Sequence, residues 1–129
     1  MSNEPHGDVI IPAGVLHDPL KDDDLFGVML PEARIVMLTE DIYEGVYNDI
    51  VRGLVRLAIQ SKDDVYLHIV SGGGNAFTGL ALADAIEQVQ REYGVNVVGR
   101  AMGQCMSAAF TVLQGCAVRH MGARSWLMM

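Results

Sequence analysis

Twice in this chain an apolar run with strand character stops at a glycine-bearing turn and gives way at once to a helical period. The first case is Val65-Tyr-Leu-His-Ile-Val70, followed by Ser71-Gly72-Gly73-Gly74-Asn75 and a helical pattern over 78–93. Leu82, Ala85, Ile86, Val89 and Tyr93 fall on one side of that helix, and Gly94 is placed to cap it. The second case is an apolar strand over 95–101, then Gly103-Gln-Cys-Met-Ser107, then a helix of small and apolar residues over 108–116. A strand over 34–38 and an amphipathic helix over 41–60 precede both, and short strands near Val118 and Trp126 follow. Strands alternating with helices imply β-α-β crossovers, which require parallel strands covered by helices. The predicted class is therefore α/β, with a mainly parallel sheet flanked by helices. In such folds functional groups collect at the carboxyl ends of strands, where both glycine-bearing turns fall.

Composition limits what those turns can serve. A chain of 129 residues with half of them apolar builds one domain around one core. Sixteen acids against nine bases give a net charge of -7, which argues against nucleic acid and against an anionic membrane surface as partners. Two cysteines provide no disulfide framework, and no histidine pair has metal-ligand spacing, so no metal is expected. The most apolar stretch, 101–118, carries Gln104, Ser107, Thr111 and Gln114, which fits a buried element better than a membrane span. The first eight residues have no export-signal pattern, which together with reduced cysteines points to a cytoplasmic location. Residues 1–24 hold three of the four prolines and the run Asp22-Asp23-Asp24, and are expected to form a flexible or partner-ordered arm before a domain over 25–129. The last residues, Ser125-Trp-Leu-Met-Met129, are an apolar run with strand character, so the chain reads as ending within an element.

The glycine run frees three consecutive positions from Cβ atoms and lets their N–H groups face one ligand. It lacks both GxGxxG and GK[ST], which speaks against a nucleotide phosphate. A structural turn and an amide pocket for an anion or a developing oxyanion both remain open. Ser107 follows a strand and opens a helix. A serine there is commonly an N-cap, and it is also where a nucleophile elbow would put its hydroxyl, although GxSxG is not matched. His68 is expected to pack in its strand on the same side as Tyr66 and Val70. His120 is expected to be exposed, and Cys105 has nothing beside it except the helix start to lower its pKa.

Three segments, RIVMLTEDIYEGVYNDIVRGLVRL, DDVYLHIVSGGGNAFTGLALADAI and GQCMSAAFTVLQGC, closely resemble the proteolytic subunit of Clp protease. Gly103-Gln-Cys-Met-Ser107 is similar to that family's GQAAS nucleophile motif, and Tyr66 to Gly74 to its YLYINSPGG. The resemblance implies the ββα superhelix shared with crotonases, C-terminally incomplete here and lacking the handle region. It implies Ser107 as nucleophile, the N–H groups of Gly74 and Ala108 as oxyanion hole, and Gly72 and Gly73 in contact with substrate. It further implies unfolded polypeptides as substrates, rings of seven subunits stacked in pairs, and an AAA+ unfoldase that spends ATP.

Three positions depart from the family pattern. Gly72 stands for its proline, and Ala109 stands for the glycine two residues after the nucleophile. The segment like SRVMIH that carries the base histidine reads Ser125-Trp-Leu-Met-Met129 and stops one position short. The expected function is thus a Clp-type serine peptidase subunit whose His and Asp come from beyond residue 129 or from a partner chain, the chain alone being inactive. The rival expectation is a non-catalytic assembly subunit of such a ring. A crotonase-like acyl-CoA enzyme shares the fold but has no use for the serine motif.

Overall fold

The structure, a computed structural model, describes residues 28–129. The arm expected over 1–24 lies outside them. The described elements run β1 (Met29–Leu30), a 3-10 turn (Pro31–Ala33), β2 (Ile35–Leu38), α1 (Glu44–Gln60), β3 (Val65–Ser71), α2 (Ala76–Tyr93), β4 (Val97–Met106), α3 (Ala108–Gln114), β5 (Val118–Met121) and β6 (Trp126–Met128).

The strands form one sheet in the order β1-β2-β3-β4-β5, with β6 also paired to β4. Only the β1–β2 pairing in it is antiparallel; the others are parallel. Because β2 to β5 are neighbours in chain order, each right-handed crossover steps the same way, and α1, α2 and α3 cover the same face. The register agrees with this. Val36 pairs with Leu67 and Leu67 with Gly99; Leu38 pairs with Ile69 and Ile69 with Ala101. All six are buried under the helices. The opposite face carries the row Met37, His68, Arg100 and His120. Arg100 lies 4.1 Å from the centre of the Tyr66 ring there.

The helix periods place Ile50, Val51, Leu54 and Leu57 of α1, and Leu82 and Ile86 of α2, in the core. Gly94 caps α2 as expected, in the left-handed region with φ 67 and its N–H donating to Gln90 O. Most boundaries shift by one or two residues from the sequence reading, and larger differences occur at α1, β4 and β1. Helix α1 begins at Glu44 instead of residue 41, because Ile42 pairs with Gly74 in an isolated bridge. Strand β4 runs on through the segment expected to bend. Between Ile69 and Ser71 on β3 it advances from Ala101 to Cys105, and Gly103, at φ +67, sits within that bulge. The bend is thereby confined to Ser107. The short β1 was not expected at all.

Candidate active site

Parallel pairing of β3 and β4 brings both glycine-bearing turns to one edge of the sheet. Beyond β3 the chain turns through Gly72, Gly73 and Gly74, and Asn75 caps α2 by accepting from Thr78 N at 2.9 Å. The turn is tied to the loop before α1. Ile42 N donates to Gly73 O at 2.9 Å, and Asn75 N donates to Ile42 O at 2.9 Å. Inside the turn, Ser71 Oγ donates to Glu40 O at 2.9 Å and accepts from Gly73 N at 3.1 Å. These bonds bypass the N–H of Gly74. In a trans peptide the carbonyl of Gly73 and the N–H of Gly74 point in opposite directions. With the carbonyl fixed toward Ile42, that N–H is directed away from it. Gly74 has φ +150, and a Cβ there would come within 2.7 Å of Ile42 N, so the position admits glycine alone.

Beyond β4, Ser107 has φ 55 and ψ -124, a conformation that L-residues seldom adopt. Its N–H donates to Met128 O at 2.6 Å, and its carbonyl accepts from Phe110 N at 2.9 Å. The serine occupies the N-cap position without capping, and its exposed hydroxyl has no hydrogen-bond partner among the described residues. Of the two sequence readings, the ordinary cap is therefore the one that fails. The first-turn N–H of Ala108 is left without a capping side chain, as at any uncapped helix start. Ser107 opens onto a cleft of about 320 Å³ whose walls include Ala76, Ala108, Phe110, Thr111 and Met129, with no charged side chain among them.

The two turns touch. A Cβ on Gly73 would lie 2.8 Å from Ser107 Cβ and 2.9 Å from Met106 O. One turn of α2 further on, a Cβ on Gly79 would lie 2.9 Å from Ala108 Cβ, so small residues hold the start of α2 against the start of α3. Of the two glycines expected to contact substrate, Gly72 is exposed, and a Cβ on it would lie 3.8 Å from the Gln104 side-chain amide. Gly73 is buried, and both its backbone polar groups are engaged, the N–H by Ser71 Oγ and the carbonyl by Ile42 N.

The remaining nucleophilic or basic groups stand apart. His68 is half-buried, with Nε2 3.3 Å from Arg100 Nη1. Burial, and next the Arg100 charge, hold its pKa below the usual histidine value. His120 is exposed on β5. Neither histidine hydrogen bonds to Ser107; His6 and His17 lie outside the described residues. Cys105 is buried, donates to Ala109 O at 3.3 Å, and burial pushes its thiol up to about 11. Cys116 is likewise pushed up to about 12. Both thiols stay protonated at neutral pH, which removes Cys105 as a nucleophile. No cluster that could hold a metal occurs among the described residues, and no helix among them is long and apolar enough to cross a membrane. Sequence reasoning missed Ser71 and the backbone of Ile42; a serine closing an otherwise apolar strand was the available signal.

A parallel sheet covered by helices on one face, with a glycine turn pressed against a strained serine at adjacent strand ends, defines the class, a one-sided α/β domain. The sequence model of the family described as Clp protease matches residues 21–129, and the chain belongs to that family. Among solved structures, ClpP1 from Listeria monocytogenes is similar at a TM-score of 0.66 and 22% identity, over 75% of this chain and 56% of that one. The ClpP protease catalytic domain from Plasmodium falciparum is similar at 0.67 and 22%, over 76% and 55%. The chain thus spans just over half the length of the structures it matches, and it shares their fold.

Proposed function

We propose that this chain carries the nucleophile half of a Clp-type serine endopeptidase that hydrolyses peptide bonds of unfolded proteins. Ser107 Oγ attacks the scissile carbonyl while the N–H groups of Gly74 and Ala108 receive the developing negative charge, and Gly72 lines the substrate path. One observation carries the reading. The serine is held at φ 55 with a free hydroxyl, against a turn that leaves one glycine N–H outside its own bonding. Strain of this kind persists only where surrounding structure enforces it, and it is the conformation expected of a nucleophile elbow. Each oxyanion donor is worth roughly 2.7–4 kcal/mol in acyl transfer.

Serine acylation needs a base, and none of the described residues supplies one. The register supports a source. Strand β6 pairs Met106 with Met128, so a residue joined to Met129 would lie beside the start of α3. A histidine there, with an aspartate from further on or from a partner chain, completes the triad. Family membership extends the proposal to rings of seven stacked in pairs, fed by an AAA+ unfoldase, with no cofactor in the peptidase itself and a cytoplasmic setting.

The test is cleavage of small fluorogenic peptides after a C-terminal segment bearing the histidine and aspartate is supplied. Activity is expected, and Ser107→Ala should abolish it; full activity in that variant would remove Ser107 from the mechanism. The lack of a base near Ser107 among the described residues favours a second reading, a non-catalytic ring subunit. Failure of a fluorophosphonate to label Ser107 in the assembled complex would select it.

A further inference from the structure

We propose that Ser71 is a positioning residue that sets the direction of the Gly74 N–H, the oxyanion donor of the serine-peptidase reading on which this inference rests. Ser71 is 2% exposed, and its hydroxyl is used twice. It donates to Glu40 O at 2.9 Å and accepts from Gly73 N at 3.1 Å. The first bond ties the end of β3 to the loop before α1. The second fixes the Gly72–Gly73 peptide plane.

The next plane, Gly73–Gly74, is fixed from its carbonyl side by Ile42 N at 2.9 Å. The donor is thus the free end of a peptide whose two preceding constraints both return to the Glu40–Ile42 segment. Three successive glycines have little intrinsic resistance to rotation of their peptide planes. Without the hydroxyl, the Gly73 N–H becomes a buried donor with no partner, and such a group relieves its cost by rotating toward one. Rotation of that plane frees the φ of Gly73, the hinge it shares with the Gly73–Gly74 plane, so the Ile42 bond alone no longer holds the Gly74 N–H in its place. Ser71 therefore also chooses which glycine amide is left for a ligand, occupying that of Gly73 and freeing that of Gly74.

The experiment uses the chain complemented with the C-terminal segment bearing the histidine and aspartate, labelled with 15N-glycine, and a peptide boronic acid with an apolar P1 side chain, which forms a tetrahedral adduct on an activated serine. The unmodified peptide of the same sequence serves as the ground-state ligand. In the wild type the Gly73 amide should exchange slowly, and the Gly74 amide should shift downfield in the adduct. In Ser71→Ala, Gly73 exchange should speed up by about tenfold or more. Boronate affinity should fall by about 10²-fold, the effect of losing one oxyanion donor, with affinity for the plain peptide unchanged. Ser71→Thr, which keeps the hydroxyl, should restore both. If Ser71→Ala does not fold, Ser71→Cys makes the same comparison, because it keeps the volume but accepts hydrogen bonds poorly. Wild-type exchange and wild-type boronate affinity in the Ala or Cys variant would overturn the proposal, as would equal losses for boronate and plain peptide. Boronate binding that survives Ser107→Ala, or fails in the wild type, counts instead against Ser107 as nucleophile, and Gly73 exchange then decides the role of Ser71 alone.

Discussion

The two strand-to-helix turns solve the same geometric problem with opposite means. At the end of β3 the unusual dihedrals fall on Gly73 and Gly74, at φ +110 and +150, where they cost little. The helix that follows has a proper cap in Asn75. At the end of β4 the positive φ falls on a residue with a side chain, Ser107, and the helix that follows has none. The first turn is relaxed, with the Gly73 N–H and carbonyl both bonded and the Gly74 N–H outside those bonds. The second is strained and spends its side chain on nothing within the fold. Backbone donors require a place where Cβ atoms are absent, whereas a nucleophile requires a side chain pushed out of the local bonding pattern. On the proposed reading, the difference between the turns is the difference between those two demands.

The comparison breaks most visibly at the glycines. Gly74→Ala puts a methyl group against the Ile42 backbone at a φ reserved for glycine, and should cost about 3–5 kcal/mol, among the largest effects of a single substitution. Gly73→Ala should cost somewhat less, about 2–4 kcal/mol, because Ser107 and the end of β4 share the displacement. Urea unfolding midpoints would measure both. If Gly74→Ala left the midpoint unchanged, the close contact between the Ile42 loop and the turn would be wrong.

Much of this arrangement was legible in the sequence, and the exceptions have physical causes. The helical and strand periods of 44–60, 65–71 and 76–93 are strong, since each element buries one broad face. Local pattern could not show that Ile42 is drawn out of α1 by the glycine turn, because that pairing joins residues far apart in sequence. Gly103 looked like a bend and is a bulge; strand pairing to Ser71 on one side and Leu127 on the other overrides the glycine. Arg34, at φ 56, was read as an ordinary strand residue. Its guanidinium instead donates to the carbonyls of Leu57, Ser61, Asp63 and Asp64 where α1 ends, a role set by tertiary contact. In the site, the position of Ser107 was legible but its strain was not, because serine is the residue expected of a plain N-cap.

Smaller substitutions sharpen the contrast between relaxed and strained turns, because they should have opposite signs. Asn75→Ala removes a working cap and should destabilise by about 1 kcal/mol. Ser107→Gly relieves a positive φ and removes no hydrogen bond made by the side chain. Relief of strain worth about 1–3 kcal/mol, less the added freedom of glycine in the unfolded chain, should stabilise by about 1 kcal/mol. Thermal midpoints of the two variants should lie on either side of the wild type. Loss of stability in Ser107→Gly would mean that the serine side chain supports the fold after all, and that the turns differ less than their dihedrals indicate.

The smallest expected effect concerns pH, and it separates the turns from the strand that feeds one of them. Neither turn contains an ionisable side chain other than Cys105, whose thiol titrates far above neutrality. Turn variants should therefore shift stability equally at pH 7.5 and pH 5. His68, three residues before Ser71, behaves otherwise. Burial and the Arg100 charge lower its folded pKa below the usual 6.5, so the folded state resists a proton that the unfolded chain accepts. The contribution is fully present above about pH 6.5 and is lost as pH falls through the lowered folded value. His68→Gln should flatten the stability profile in that window and leave it unchanged above pH 7, and Arg100→Gln should flatten it less, because burial is the larger cause. A profile that responded to Asn75→Ala but not to His68→Gln would reverse the assignment and place the proton-linked step in the turn.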